Sequence, residues 1–179
     1  MATEKLKIGS KAPDFSLMGI DDKSYSLDLF KDKKLLCVIF SCNHCPYVKA
    51  YEGRMIDIQK EFQSDLYIAA INSNDEVNYP EDSFDNMKKR AKQIGFNFAY
   101  LRDADQKIAT AYGATHTPEI FLFGENRTLQ FHGKIDDNWE YPNKVKEPYL
   151  KNAIKELLDG KEVSTKETFT IGCTIKWKY

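Results

Sequence analysis

The stretch Leu35-Leu36-Cys37-Val38-Ile39-Phe40-Ser41-Cys42-Asn43-His44-Cys45-Pro46-Tyr47-Val48 constrains this chain more than any other. It opens with a continuous apolar run, which predicts a strand covered on both faces by helices. A Cys-x-x-Cys follows. Then Tyr47, Val48, Tyr51, Met55, Ile58 and Phe62 recur at helical steps. That order sets two thiols at the carboxyl end of a strand, where a helix begins, and open α/β sheets place their chemistry there. The N–H groups of a first helical turn favour an anion, and a thiolate is an anion. Pro46 has no N–H and disfavours helical geometry at Cys45, so a clean helix start is expected only near Pro46. Cys37 lies inside the strand and reads as a small buried hydrophobe.

The remaining chain reads as one α/β domain over residues 1–179. Lys plus Arg number 26 and Asp plus Glu 27, which argues against a dedicated nucleic-acid surface. No apolar run has the length of a membrane span. Met1 to Ile8 holds no apolar signal core, so a cytoplasmic location is expected. Four cysteines in 179 residues do not make a disulfide scaffold.

An edge hairpin is expected before Phe30, with a turn at Gly19 to Asp22. Leu66–Asn72 predicts a second buried strand, followed by a polar loop from Ser73 to Asp82. A helix is expected over Ser83–Ile94, capped by Asp82 or Ser83 and ended by Gly95. Phe98–Leu101 predicts a strand, and Ala104–Tyr112 a short helix closed by Gly113. Glu119–Phe123 and Leu129–Ile135 predict a hairpin around Gly124 to Arg127. A loop from Asp136 to Lys146 leads to a last helix at Pro148–Leu158. Asp103, Asp105, Asp136 and Asp137 read as turn and cap residues. In the tail, Phe169, Ile171, Cys173, Ile175 and Trp177 alternate with small or polar residues, which predicts an extended segment with one buried face.

Several strings together carry a resemblance. Cys42-Asn43-His44-Cys45-Pro46-Tyr47-Val48, Ala70-Ile71-Asn72-Ser73-Asn74-Asp75, Ala111-Tyr112-Gly113-Ala114, Thr117-Pro118 and Ile171-Gly172-Cys173-Thr174-Ile175-Lys176-Trp177-Lys178 are similar to the peroxiredoxin-like redoxins of the thioredoxin superfamily. The lead-in Ala12-Pro13-Asp14-Phe15 fits the same branch. The resemblance implies a thioredoxin-like α/β/α sandwich: a mixed central sheet, an N-terminal hairpin extension and an extended C-terminal tail. It matches Cys42 to the attacking cysteine, Cys45 to the resolving one, and Pro118 to a cis-proline beside them. Thr117 would then offer its backbone to a substrate strand. Two departures stand out. Ser41 and Asn43-His44 replace thioredoxin's Trp and Gly-Pro, and Ile39 stands where a peroxiredoxin carries Thr.

The expected function is a thiol–disulfide oxidoreductase. Cys42 attacks, Cys45 resolves, and His44, when protonated, favours the Cys42 thiolate. Protein or small-molecule disulfides and a cellular thiol reductant are the expected partners, with no cofactor or resident metal. One alternative is a thiol peroxidase resolved by Cys45 or Cys173. Another is a Cu or Zn module built from Cys42, Cys45 and His116. His116 reads equally as an accessory group or a polar loop residue. Cys173 reads first as a small buried residue and second as a third redox thiol. His132 reads as an ordinary hairpin residue.

Overall fold

The computed structural model describes residues 4–179, so the first three residues of the N-terminal stretch read above lie outside it. A seven-stranded sheet runs in the order β2-β1-β5-β4-β3-β7-β8. Its central strand is β3 (Leu35–Ser41), buried along its whole length. β3 pairs in parallel with β4 (Leu66–Asn72), which pairs in parallel with β5 (Ala99–Arg102). On its other side β3 meets β7 (Glu119–Phe123), antiparallel, and β7 meets β8 (Leu129–Gly133). The hairpin β1 (Leu17–Gly19) and β2 (Ser24–Tyr25) closes the far edge.

Alternate residues of β3 serve two cores. Leu35, Cys37 and Ile39 face one, and Leu36, Val38 and Phe40 the other. The first core takes side chains from helices α1 (Pro46–Glu61), α2 (Phe84–Ile94) and α4 (Tyr149–Leu158). Two successive crossovers, β3-α1-β4 and β4-α2-β5, step the same way across the sheet. Their right-handedness therefore sets α1 and α2 on the same face. The second core is covered by α3 (Lys107–Tyr112), by Phe15 and Phe30 of the lead-in, and by Ile175 of the tail. Three layers result, with the dithiol at the β3–α1 junction. Among the described residues, no helix is long and apolar enough to cross a membrane.

Two segments differ from the sequence reading. Helix α3 begins at Lys107 and not at Ala104, because Gln106 takes a left-handed conformation (φ 60°). The Asp103 carboxylate accepts from the N–H groups of Ile108 and Ala109 at 3.3 and 2.9 Å. In the tail, the alternating apolar face is not buried throughout. Phe169 and Ile171 are exposed, and Ile175 alone of the five is buried. The tail first runs beside β8, where Thr168 N–H donates to the His132 carbonyl. It then crosses to form β9 (Cys173–Thr174) against β6 (His116–Thr117). Period two marked the extended shape, but only the last part of the segment reaches a surface that can cover it.

Candidate functional site

Cys45 caps the amino end of α1, and Pro46 is the first helical residue. Proline fits there because that N–H has no helical partner. Cys42 to Cys45 thus form a short irregular bridge between β3 and α1, with both cysteine sulfurs buried. The Thr117–Pro118 peptide is cis. Cys42 Sγ lies 3.5 Å from Thr117 Oγ1, and Cys45 Sγ lies 3.4 Å from the Thr117 carbonyl oxygen. Positions 42, 45 and 117 thus converge from across the chain. Cys173 joins them at Cys45, with 2.8 Å between the two sulfurs.

Asp82 is the residue that the sequence reading missed. It is fully buried, at the end of a short 3-10 turn, Pro80–Asp82. One carboxylate oxygen accepts from Asn43 N–H at 2.6 Å and from Asn72 Nδ2 at 3.2 Å. The other accepts from Asn74 Nδ2 at 2.9 Å and stands 2.5 Å from His44 Nδ1. Asn43 is held further by the Tyr100 hydroxyl, which donates to its Oδ1 at 2.7 Å. His44 stacks on Tyr79 with rings 4° from parallel and centroids 5.9 Å apart. The bridge between the cysteines is therefore fastened to the loop after β4.

The two sulfurs share their protons unequally. The hydrogen bond with Cys42 outweighs burial and lowers the Cys45 thiol to about 4. The hydrogen bond with Cys173 and the Val48 N–H act the same way. The Cys42–Cys45 hydrogen bond, burial and the Asp82 carboxylate hold Cys42 well above the ordinary thiol range. The thiolate is thus favoured at Cys45 and disfavoured at Cys42 in this arrangement. Asp82, a negative charge beside Cys42 that no local motif reveals, adds to the Cys45 hydrogen bond and burial in disfavouring the Cys42 thiolate. Cys173 is pushed up to about 11 by burial and by its hydrogen bond and proximity to Cys45. Burial alone raises Cys37, which contributes to the core and not to the site.

His116 does not join the sulfurs as a ligand group. Its Nδ1 lies 2.7 Å from Thr115 Oγ1, and its backbone pairs with Thr174. Among the described residues, the donor atoms that gather within 4.8 Å of one another are those of Cys42, His44 and Asp82. That set differs from Cys42, Cys45 and His116. Asp82 already accepts three hydrogen bonds, which leaves it poorly placed to ligate a soft metal.

A second buried pair stands behind the Thr117 strand. Glu119 and His132 are 2.7 Å apart and both buried. The other Glu119 oxygen accepts from Thr115 and His116 N–H at 2.7 and 3.0 Å. His132 is thus part of the support of the site. The alternation of β8, which places His132 between apolar neighbours, was the available signal.

A dithiol at a strand–helix junction, set against a cis-proline strand in this mixed sheet, defines a thioredoxin-fold redoxin. Residues 8–132 match the AhpC/TSA family, and the chain belongs to it. It is similar to the thiol-disulfide oxidoreductase ResA of Geobacillus thermodenitrificans (strain NG80-2), at 27% identity over 128 residues. That match covers 69% of this chain and 68% of the relative. Among solved structures, a hypothetical protein of Sinorhizobium meliloti 1021 is 35% identical with a TM-score of 0.90. The match covers 98% of this chain and 97% of that one. An uncharacterized conserved protein of Geobacillus kaustophilus is also 35% identical, with a TM-score of 0.91 and coverage of 99% and 96%.

Proposed function

We propose that this protein is a thiol–disulfide oxidoreductase working through Cys42 and Cys45. The observation that supports this best is the shared contact of both sulfurs with Thr117, at 3.5 and 3.4 Å, beside cis Pro118. The likeness to ResA, named a thiol-disulfide oxidoreductase, points the same way.

Cys42 becomes the nucleophile when its proton passes along the shared hydrogen bond to Cys45. The Thr117 carbonyl is in place to accept from the Cys45 S–H that results. The Cys42 thiolate attacks one sulfur of a substrate disulfide, and the other leaves as a thiolate. Cys45 then attacks Cys42 Sγ, releasing the second substrate thiol and closing a Cys42–Cys45 disulfide. Two electrons from a cellular thiol reductant reopen it. The substrates in this reading are protein or small-molecule disulfides, and the cycle requires no cofactor.

The peroxidase reading is weaker, because Ile39 stands where a peroxiredoxin-type Thr would support peroxide. The test is reduction of insulin disulfides with dithiothreitol as electron source, with peroxide consumption and metal content measured on the same protein. Cys42→Ser and Cys45→Ser are expected to bring insulin reduction down to the uncatalysed rate. Full activity in Cys42→Ser would overturn the assignment.

A further inference from the structure

The edge that a substrate strand would use is already taken. An extended peptide adds to an exposed strand edge through main-chain hydrogen bonds. Here β9 lies antiparallel on β6, with Thr117 opposite Cys173 and His116 opposite Thr174. Ile175 N–H donates to the Thr115 carbonyl at 2.9 Å. Gly172 makes the approach possible, since a Cβ there would stand 2.1 Å from the Thr117 carbonyl oxygen and 2.7 Å from its carbon.

Further along, the tail is clamped to the loops that hold the dithiol. Lys176 N–H donates to Asn74 Oδ1 at 2.9 Å, and its carbonyl accepts from Asp75 N–H and Gln106 Nε2 at 2.8 and 2.9 Å. Asn74 reaches Asp82 with its other amide atom, so one side chain joins the tail to the carboxylate beside Cys42. This register delivers Cys173 to Cys45 and not to Cys42.

We propose that Cys173 is a third redox thiol and that β9 is an internal substrate strand, exchanging disulfides with the dithiol. The step rests on the dithiol reading above, which supplies the Cys42–Cys45 disulfide. The Cys173 thiolate attacks Cys45 Sγ. The Cys45–Cys173 bond forms, the Cys42–Cys45 bond breaks, and Cys42 leaves as a thiolate that takes up the proton Cys173 gave off. One disulfide stands before and after, so no external oxidant or reductant enters. The product holds Cys42 free while Cys45 is occupied by the tail. In the reverse step, Cys42 attacks Cys45 and releases Cys173. An outside disulfide must displace β9 to pair with Thr117, so the tail competes with substrate for the same edge.

The test uses the full chain equilibrated in glutathione buffers from reducing to oxidising. Free thiols are trapped by alkylation and bridges are mapped by peptide analysis. Cys42→Ser is expected to yield a Cys45–Cys173 peptide, and wild type both this bridge and Cys42–Cys45. Gly172→Ala leaves every thiol in place but pushes the tail off Thr117. It is expected to lower the Cys45–Cys173 share relative to Cys42–Cys45 on the order of tenfold. Cys42→Ala is run beside Cys42→Ser, so a bridge missing from both, in chains that still unfold cooperatively, is not a folding defect.

If Cys45 and Cys173 appear only alkylated or glutathionylated in both variants, while Cys173→Ser still forms Cys42–Cys45, the exchange alone is overturned. If Cys173→Ser forms no Cys42–Cys45 bridge at any potential, the dithiol reading fails and the exchange fails with it.

Discussion

A cationic His44 and the Asp82 carboxylate would act on Cys42 with opposite sign. The Asp82 carboxylate disfavours a second negative charge at Cys42, and His44, whose Nδ1 lies 2.5 Å from that carboxylate, would offset it when carrying a proton on both ring nitrogens. His44→Ala is therefore expected to raise the Cys42 pKa further, and Asp82→Asn to lower it. Ultraviolet thiolate absorbance against pH reads both, and identical titrations in the two variants would contradict the assignment. Asp82→Asn is also expected to cost stability, about 1–3 kcal/mol, since an amide accepts poorly from the donors that face both carboxylate oxygens. The cysteines and Thr117-Pro118 were legible as short strings. Asp82 was not. It meets Asn43 from 39 positions away, and from sequence it looked like a cap for α2. Ser83 holds that cap, accepting from Asn86 N–H at 3.2 Å.

At the scale of elements, the strand that faces the sulfurs is held from behind. Glu119 fastens the backbone of Thr115 and His116, and His132 on β8 fastens Glu119. Burial works to raise the Glu119 carboxyl, but the hydrogen bonds from His132, Thr115 and His116 outweigh it and leave its pKa lowered. A lowered folded-state pKa gives stability that is present above the unfolded value, about 4.3 for Glu, and lost as pH falls through the folded value. Glu119→Gln is therefore expected to be less stable than wild type at neutral pH, with the gap closing below about pH 4. Urea unfolding from pH 7 to 3 measures this, and a gap constant with pH would refute it.

Ser83→Ala is expected to cost about 1 kcal/mol through loss of the α2 cap, read in the same assay. The elements themselves were legible because their signals are local: the apolar run of β3, the 3.6 period of α1, and Gly95 ending α2 in a left-handed turn. The path of the tail was not. Period two announces an extended chain, but which edge it joins is decided by loops near residues 74 and 106, far from it in sequence.

Across the whole molecule, the sheet divides two apolar cores and the tail bridges the second of them to the site. Redox state and global stability are therefore linked through loop length. A Cys42–Cys45 disulfide closes a very short loop, whereas Cys45–Cys173 joins residues 128 apart in the chain. By chain-entropy arguments the short loop contributes about 2 kcal/mol and the long one about 5 kcal/mol, because the long bridge removes far more freedom from the unfolded chain. Oxidised Cys42→Ser, with only the long bridge open to it within the site, is expected to gain more stability over its reduced form than oxidised Cys173→Ser gains over its own. The difference should be about 3 kcal/mol in guanidinium unfolding with thiols trapped before denaturation. Equal gains in the two variants would mean that the Cys45–Cys173 bridge does not span the folded chain as this geometry requires. The comparison also separates the bridge from the docking of β9. Gly172→Ala weakens docking in both redox states, but once the bridge has formed the long loop is closed whether or not the backbone of Thr117 is paired.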